Sequence, residues 1–233
     1  MTKFYMLFGA VAVIGVGVVG YNVSSGMLGD AVSAPVAVEG VDDPARLVEL
    51  ARGVTKGQEG AAITIVEFGD FQCPSCGVFS QQVKPQMELS FVETGQAKFV
   101  FYDYPLVSIH PNAFLAARAA RCAEDQDMFW EYHDELFRNQ SRWSAQPSPG
   151  GSFSDYAGTV GLDKGDFNSC LNSDRHAELV SANLQLGQVM GVTGTPTILV
   201  NVPGKGTRRA PGFDFQSIAA TIEAMQSEGG ESN

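Results

Sequence analysis

The sequence predicts an α/β domain that carries an all-helical insertion and is preceded by an apolar N-terminal segment. Three observations lead there. Short runs rich in β-branched and aromatic residues, at 63–68 (ITIVEF), 98–102 (KFVFY) and 197–202 (TILVNV), have the length and composition of buried strands. Apolar residues at helical spacing fill the long stretch between the second and third runs. Residues 4–21 (FYMLFGAVAVIGVGVVGY) are almost purely apolar and carry no charge.

Size and charge narrow the function classes. A chain of 233 residues accommodates one domain with an insertion, and 44% hydrophobic with 18% charged residues supplies a core and excludes global disorder. Fifteen Lys and Arg against 26 Asp and Glu give a net charge of −11, which repels a polyphosphate backbone, so nucleic acid is excluded as a partner.

Taken in order, residues 1–21 read as a membrane anchor through 4–21, or as a signal sequence. At about 1.5 Å per residue the run covers roughly 27 Å, close to the hydrocarbon thickness. Lys3 lies before it, and Asp30, Glu39, Asp42 and Asp43 lie after it, which places the N-terminus in the cytoplasm and the bulk outside. The alternative is secretion after cleavage near Val32-Ser33-Ala34, a small-residue site that Pro35 immediately follows and hinders. Residues 22–57 read as a stalk with one short amphipathic piece at 44–52. The domain proper is expected at 58–226, its helical insertion at about 111–191, and a flexible tail at 227–233.

Within the domain, Pro74 suits the first turn of a helix from about Ser75 to Val92, and Pro85 predicts a kink in it. In the insertion, Leu115, Ala119 and Cys122 share one helical face, and Asp127 is a candidate cap for a second helix bearing Phe129, Trp130, His133, Leu136 and Phe137. These aromatic residues, with Trp143, read as insertion core. After a loop at 146–152 come short helices at 153–160 and 164–171, then a longer one capped by Ser173. Phe215, Ile218, Ile222 and Met225 give the stripe of a final helix.

The chemistry lies in Cys73-Pro74-Ser75-Cys76. A helix N-terminus presents unpaired N–H groups and a partial positive charge, which stabilise a thiolate at Cys73. Cys76, one turn further in, is placed to close and resolve a disulfide. The competing readings are half of a zinc site and a plain structural bridge; three His supply no second ligand pair, so no metal is expected.

The run Val66-Glu67-Phe68-Gly69-Asp70-Phe71-Gln72-Cys73-Pro74-Ser75-Cys76, the later Tyr104-Pro105-Leu106, and Thr193-Gly194-Thr195-Pro196-Thr197 together resemble DsbA-type extracytoplasmic thiol-disulfide oxidoreductases. The resemblance spans roughly residues 58–226. It is greatest to the membrane-anchored bacterial branch related to BdbD, and it implies a thioredoxin fold with an inserted helical domain. It further implies Cys73 as nucleophile, Cys76 as resolving cysteine, and Pro196 as a cis-proline that, with Thr195, faces the disulfide and docks substrate. Glu67 falls where such proteins hold a buried acid beneath the disulfide, able to relay the resolving cysteine's proton. Asp70 is placed in solvent or in a cap, and His110 at the start of a helix.

Cys122 and Cys170 read as a structural disulfide; a second redox centre is the alternative. The resemblance implies no cofactor. It implies exported proteins with reduced or mispaired cysteines as substrates, and a membrane DsbB-like or VKOR-like protein as reoxidising partner. The alternatives are a disulfide isomerase or reductase, and a redox-inactive anchored module that binds clients or metal. The dipeptide Pro-Ser between the cysteines differs from the Pro-His of the best-known strong oxidants, which leaves the potential open.

Overall fold

A computed structural model describes residues 31–228. The apolar run 4–21, and hence the expected anchor or signal, lies outside these residues, as does most of the expected tail. Among the described residues no helix is long and apolar enough to cross a membrane.

The sheet is built from β1 (Val54–Lys56), β2 (Ile63–Gly69), β3 (Ala97–Asp103), β4 (Thr197–Val202) and β5 (Gly206–Arg209), in the order β1-β3-β2-β4-β5. β2 and β3 run parallel and the other pairs are antiparallel. Because β2 and β3 are parallel, the chain must cross over between them, and it does so through the helix that follows the dithiol. That crossover begins as α2 (Pro74–Val78), continues as a π segment (Phe79–Val83), returns to α-helix as α3 (Lys84–Met87) and ends in a second π segment (Glu88–Val92). Pro85 sits at the junction between the first π segment and α3. Proline has no N–H to give the preceding turn, and there the Lys84 N–H reaches back five residues to the Phe79 carbonyl.

Alternation along the strands sorts the core into two faces. Ile63 and Ile65, with Phe99, Ile198 and Val200, pack against Phe79, Val83 and Met87 of the crossover and against Ile218, Ile222 and Met225 of α10 (Phe215–Ser227). Phe68, Tyr104, Val192 and Leu199 form a smaller cluster elsewhere. The alternation puts Glu67 on the same face as Ile63 and Ile65, under the crossover.

Between β3 and β4 stand α4 (Ala113–Glu124), α5 (Phe129–Arg138), α6 (Gln140–Trp143), α7 (Gly150–Val160), α8 (Lys164–Leu171) and α9 (Ala177–Val189). Their apolar faces share one core with Phe71, Cys73, Cys76 and Phe101, so the insertion packs directly on the dithiol turn. Phe129, Phe137 and Trp143 are buried in that core, while Trp130 lies at its margin and donates its indole N–H to the Thr55 carbonyl.

The structure departs from the sequence reading at several places. Folded structure begins before residue 58: α1 (Pro44–Leu50) buries Leu47 against Ala182, and β1 pairs with Phe99–Phe101 of β3. The composition of 22–57 resembles a stalk, yet a seven-residue helix needs only one buried leucine to dock, and three residues are too few to show alternation. Strand β5 is wholly exposed and polar, so it carries no apolar signal. Asp127 does not cap α5; it adopts a left-handed conformation (φ 58°), and Met128 holds the cap position. Ser173 does not cap α9, which starts at Ala177; its hydroxyl instead donates to the Cys170 carbonyl.

Candidate active site

Strand β2 ends at Gly69 and the chain turns through Asp70–Gln72 into α2. Cys73 is the N-cap, with extended backbone (φ −71°, ψ 122°), and Pro74 takes the first helical position, where a missing N–H costs nothing. The Cys73 carbonyl accepts the Gly77 N–H at 3.1 Å, closing the first turn. Its side chain is thereby left at the helix mouth. Cys73 keeps 7% exposure, whereas Cys76 has none, and both are free thiols.

Thr195–Pro196 is a cis peptide, and the Cys73 thiol donates to the Thr195 carbonyl at 3.3 Å. The two parts of the site are separated by 122 positions in sequence and meet because β2 and β4 are paired neighbours, with Phe68 opposite Thr197.

The two sulfurs differ sharply in acidity. The Cys76 thiol and the backbone N–H groups of Cys76 and Ser75 stabilise a Cys73 thiolate, outweighing partial burial and lowering its pKa to about 5. Burial pushes Cys76 well above the ordinary thiol value, and the neighbouring Cys73 and Glu67 push it further; only the Asp70 N–H, 3.4 Å from its Sγ, acts in the opposite sense.

Glu67 is 1% exposed, and neither of its carboxylate oxygens has a hydrogen-bond partner among the described residues. Burial raises its pKa to about 8; Lys84 lowers it and Cys73 raises it. Lys84, a residue the sequence reading did not single out, is itself buried and pairs with Glu88 Oε1 (3.1 Å) and Asp134 Oδ1 (2.9 Å). Nothing in its neighbours marks it, since a lysine beside Pro85 in a helix is ordinarily solvated.

Asp70 is buried, not in solvent. It accepts from the Gln72 N–H (2.7 Å), the Leu106 N–H (2.8 Å) and His110 Nδ1 (2.8 Å), and so ties the dithiol turn to the segment after β3. His110 precedes α4 by three residues and belongs to this bracket.

Cys122 and Cys170 form a disulfide across α4 and α8, each 1% exposed. Their sulfurs and a nitrogen of His176 lie within 4.8 Å of one another, but both sulfurs are used in the bridge, and His176 Nε2 meets Asp125 at 3.0 Å.

Known proteins place this arrangement. A thioredoxin family model matches residues 50–209. Disulfide bond formation protein D of Bacillus subtilis is 33% identical over 172 residues, covering 72% of this chain and 74% of that one. The crystal structure of oxidised BdbD from Bacillus subtilis superposes with a TM-score of 0.67 at 29% identity, covering 85% of this chain and 99% of that chain. The Na(+)/H(+) antiporter NhaA 1 of Salinispora arenicola is 32% identical over 184 residues, 79% of this chain, and the chain spans only 26% of that protein's length. A dithiol at a helix mouth, on a sheet of this order, together with these likenesses, assigns the chain to the thioredoxin family.

Proposed function

We propose that the protein donates a Cys73–Cys76 disulfide to thiols of exported polypeptides outside the cytoplasmic membrane, tethered there through residues 4–21. The observation that carries the proposal is the contrast in one dithiol: Cys73 is favoured as a thiolate and Cys76 as a thiol.

In the oxidised form a client thiolate attacks Cys73 Sγ, the bond to Cys76 breaks, and Cys76 departs with the electron pair and takes up a proton. Glu67, protonated at neutral pH, is the buried acid placed to supply that proton. A second client thiolate then attacks the client sulfur of the mixed disulfide, and Cys73 leaves as a stabilised thiolate. Two electrons pass from the client to the protein, which ends as the dithiol. Thr195 and Pro196, whose edge faces Cys73, receive the client backbone.

The acidity contrast also favours oxidation of the client. The folded pKa of Cys73 is depressed, so its thiolate stabilises the reduced fold; the gain is complete above the ordinary thiol pKa and is lost as pH falls through about 5. A stabilised reduced form makes the disulfide an oxidant. Return to the disulfide requires an electron acceptor at the membrane, for which a DsbB-like or VKOR-like protein has the fitting chemistry. Transport is not carried over from the antiporter, of whose length the match spans about a quarter.

The test is capture. Cys76→Ser protein mixed with client polypeptides should accumulate mixed disulfides through Cys73, seen as adducts on a non-reducing gel that thiol reductant removes. Failure of any adduct to form, with the fold intact, would overturn the assignment. A redox potential well below about −200 mV would instead point to reduction or isomerisation.

A further inference from the structure

Helix α6 has only four residues, yet it is firmly held. Trp143 is fully buried, donates its indole N–H to the Leu136 carbonyl at 2.9 Å and meets Phe153 edge-on. At the other end of this helix stands Gln140, half-buried, whose amide leaves the insertion and reaches the dithiol turn. Gln140 Nε2 donates to the Phe71 carbonyl at 2.7 Å and to the Cys73 carbonyl at 2.9 Å. Both groups belong to the turn that aims the Cys73 side chain, and the Cys73 carbonyl is also the acceptor that opens α2.

The approach requires a gap in α2, and the gap is Gly77. A Cβ built there would lie 2.7 Å from Gln140 Oε1 and 3.3 Å from its Cδ. Glycine is a poor helix former, so its presence as the fourth residue of a five-residue helix is otherwise a local cost. Gln140 and Gly77 therefore fit as a lock and its slot: the insertion supplies the amide, and the redox helix leaves room for it.

We propose that Gln140 is a positioning residue for the thiol exchange, fixing the Cys73 and Phe71 carbonyls so that the first-turn N–H groups stay aimed at Cys73 Sγ, with Gly77 as the opening that admits it. The proposal rests on the reading of Cys73 as the exchanging thiol. It gives the helical insertion a direct part in the chemistry, beyond covering the site.

The test uses the full chain, reduced, and follows alkylation of the Cys73 peptide by iodoacetamide across pH, with thermal unfolding in parallel. Gln140→Glu keeps the shape and exchanges the donor for an acceptor that opposes both carbonyls. Gln140→Ala removes the amide. Gly77→Ala displaces the amide without touching it, and alanine favours the helix, so this variant is expected to fold even where the others are weakened. Each should raise the alkylation midpoint, by about one unit for Gln140→Ala, the size of one lost hydrogen bond. Gln140→Glu should shift it most. The Gly77→Ala/Gln140→Ala double variant should match Gln140→Ala alone, because the two changes remove one contact. A purely structural role lowers the unfolding temperature and leaves the midpoint where it was. Midpoints within about 0.2 units of the parent in Gly77→Ala and in either Gln140 variant overturn the proposal. A parent midpoint at the ordinary thiol value of about 8.5 removes instead the reading on which it rests, and both fall.

Discussion

The chain contains two pairs of cysteines that the fold treats in opposite ways. Cys122 and Cys170 stand on two helices of the insertion, buried and bridged. Cys73 and Cys76 stand in one helical turn, free and both buried, the first keeping a small exposure that the second lacks. The amino acid is the same; what differs is the set of donors around each sulfur. The Cys76 thiol and the first-turn N–H groups favour a thiolate at Cys73, whereas the sulfurs of the insertion are bonded to each other and do not ionise. Cysteine chemistry in this molecule is thus decided by position relative to a helix mouth.

The largest test of that contrast is to remove each pair in turn. Cys73→Ser should abolish oxidation of a reduced client in a thiol-loss assay. Replacing both Cys122 and Cys170 with Ala should leave the Cys73 reaction within a few-fold of the parent. The same double replacement should cost stability instead. A bridge spanning 48 positions contributes about 4 kcal/mol on the loop-entropy estimate, to be read from urea unfolding. Loss of client oxidation in that variant while it remains folded would mean the second pair takes part in electron transfer.

A smaller, pH-dependent effect follows from Glu67. Its carboxyl titrates near 4.5 when unfolded and near 8 when folded, so the group adds no cost to folding below pH 4.5 and a growing cost as pH rises towards 8. Glu67→Gln cannot ionise. The stability of the variant relative to the parent should therefore rise between pH 5 and pH 8, by an amount on the order of a few kcal/mol in urea titrations of the reduced forms. An unchanged difference across that interval would show that the carboxyl is not held neutral. If it serves as the proton donor to Cys76, the variant also slows formation of the mixed disulfide, several-fold at neutral pH.

The smallest effect is expected at the surface beside the bridge. Arg175 and Asp125 pair at 3.0 Å with Arg175 mostly in solvent, and Arg175→Ala should alter stability by less than about 0.5 kcal/mol. It should leave Cys73 reactivity unchanged. A shift in the alkylation profile there would break the independence of the two cysteine pairs.

What the sequence disclosed follows the range of each signal. Strands β2, β3 and β4 are legible because β-branched and aromatic residues crowd a short run, and the start of α2 because Pro74 marks it. The dithiol carries its own electrostatics in four residues. Thr195–Pro196 needs the resemblance as well as the residues, since only the pairing of β2 with β4 brings it to Cys73. Contacts between distant residues leave no local mark: the brackets from Asp70 to the Leu106 N–H, from Lys84 to Asp134, and from Gln140 to the Cys73 carbonyl join positions 36, 50 and 67 apart. Caps differ from the sequence reading where a turn intervenes: Asp127 is left-handed at φ 58° and Met128 holds the cap position, and Ser173 lies before the left-handed His176 that precedes α9. The burial of Asp70, which reads from sequence as lying in solvent or in a cap, has a similar reason, since three donors from two segments keep a buried carboxylate satisfied and no window of sequence contains them all.

The central claim is that Cys73 is a thiolate at neutral pH while its neighbour is not. Alkylation of each cysteine in the reduced full chain, resolved by peptide mass across pH 3 to 10, measures this directly. The account predicts a Cys73 midpoint near 5, with Cys76 unreactive until far more alkaline solution. Two coincident profiles with midpoints at the value of free cysteine would contradict it.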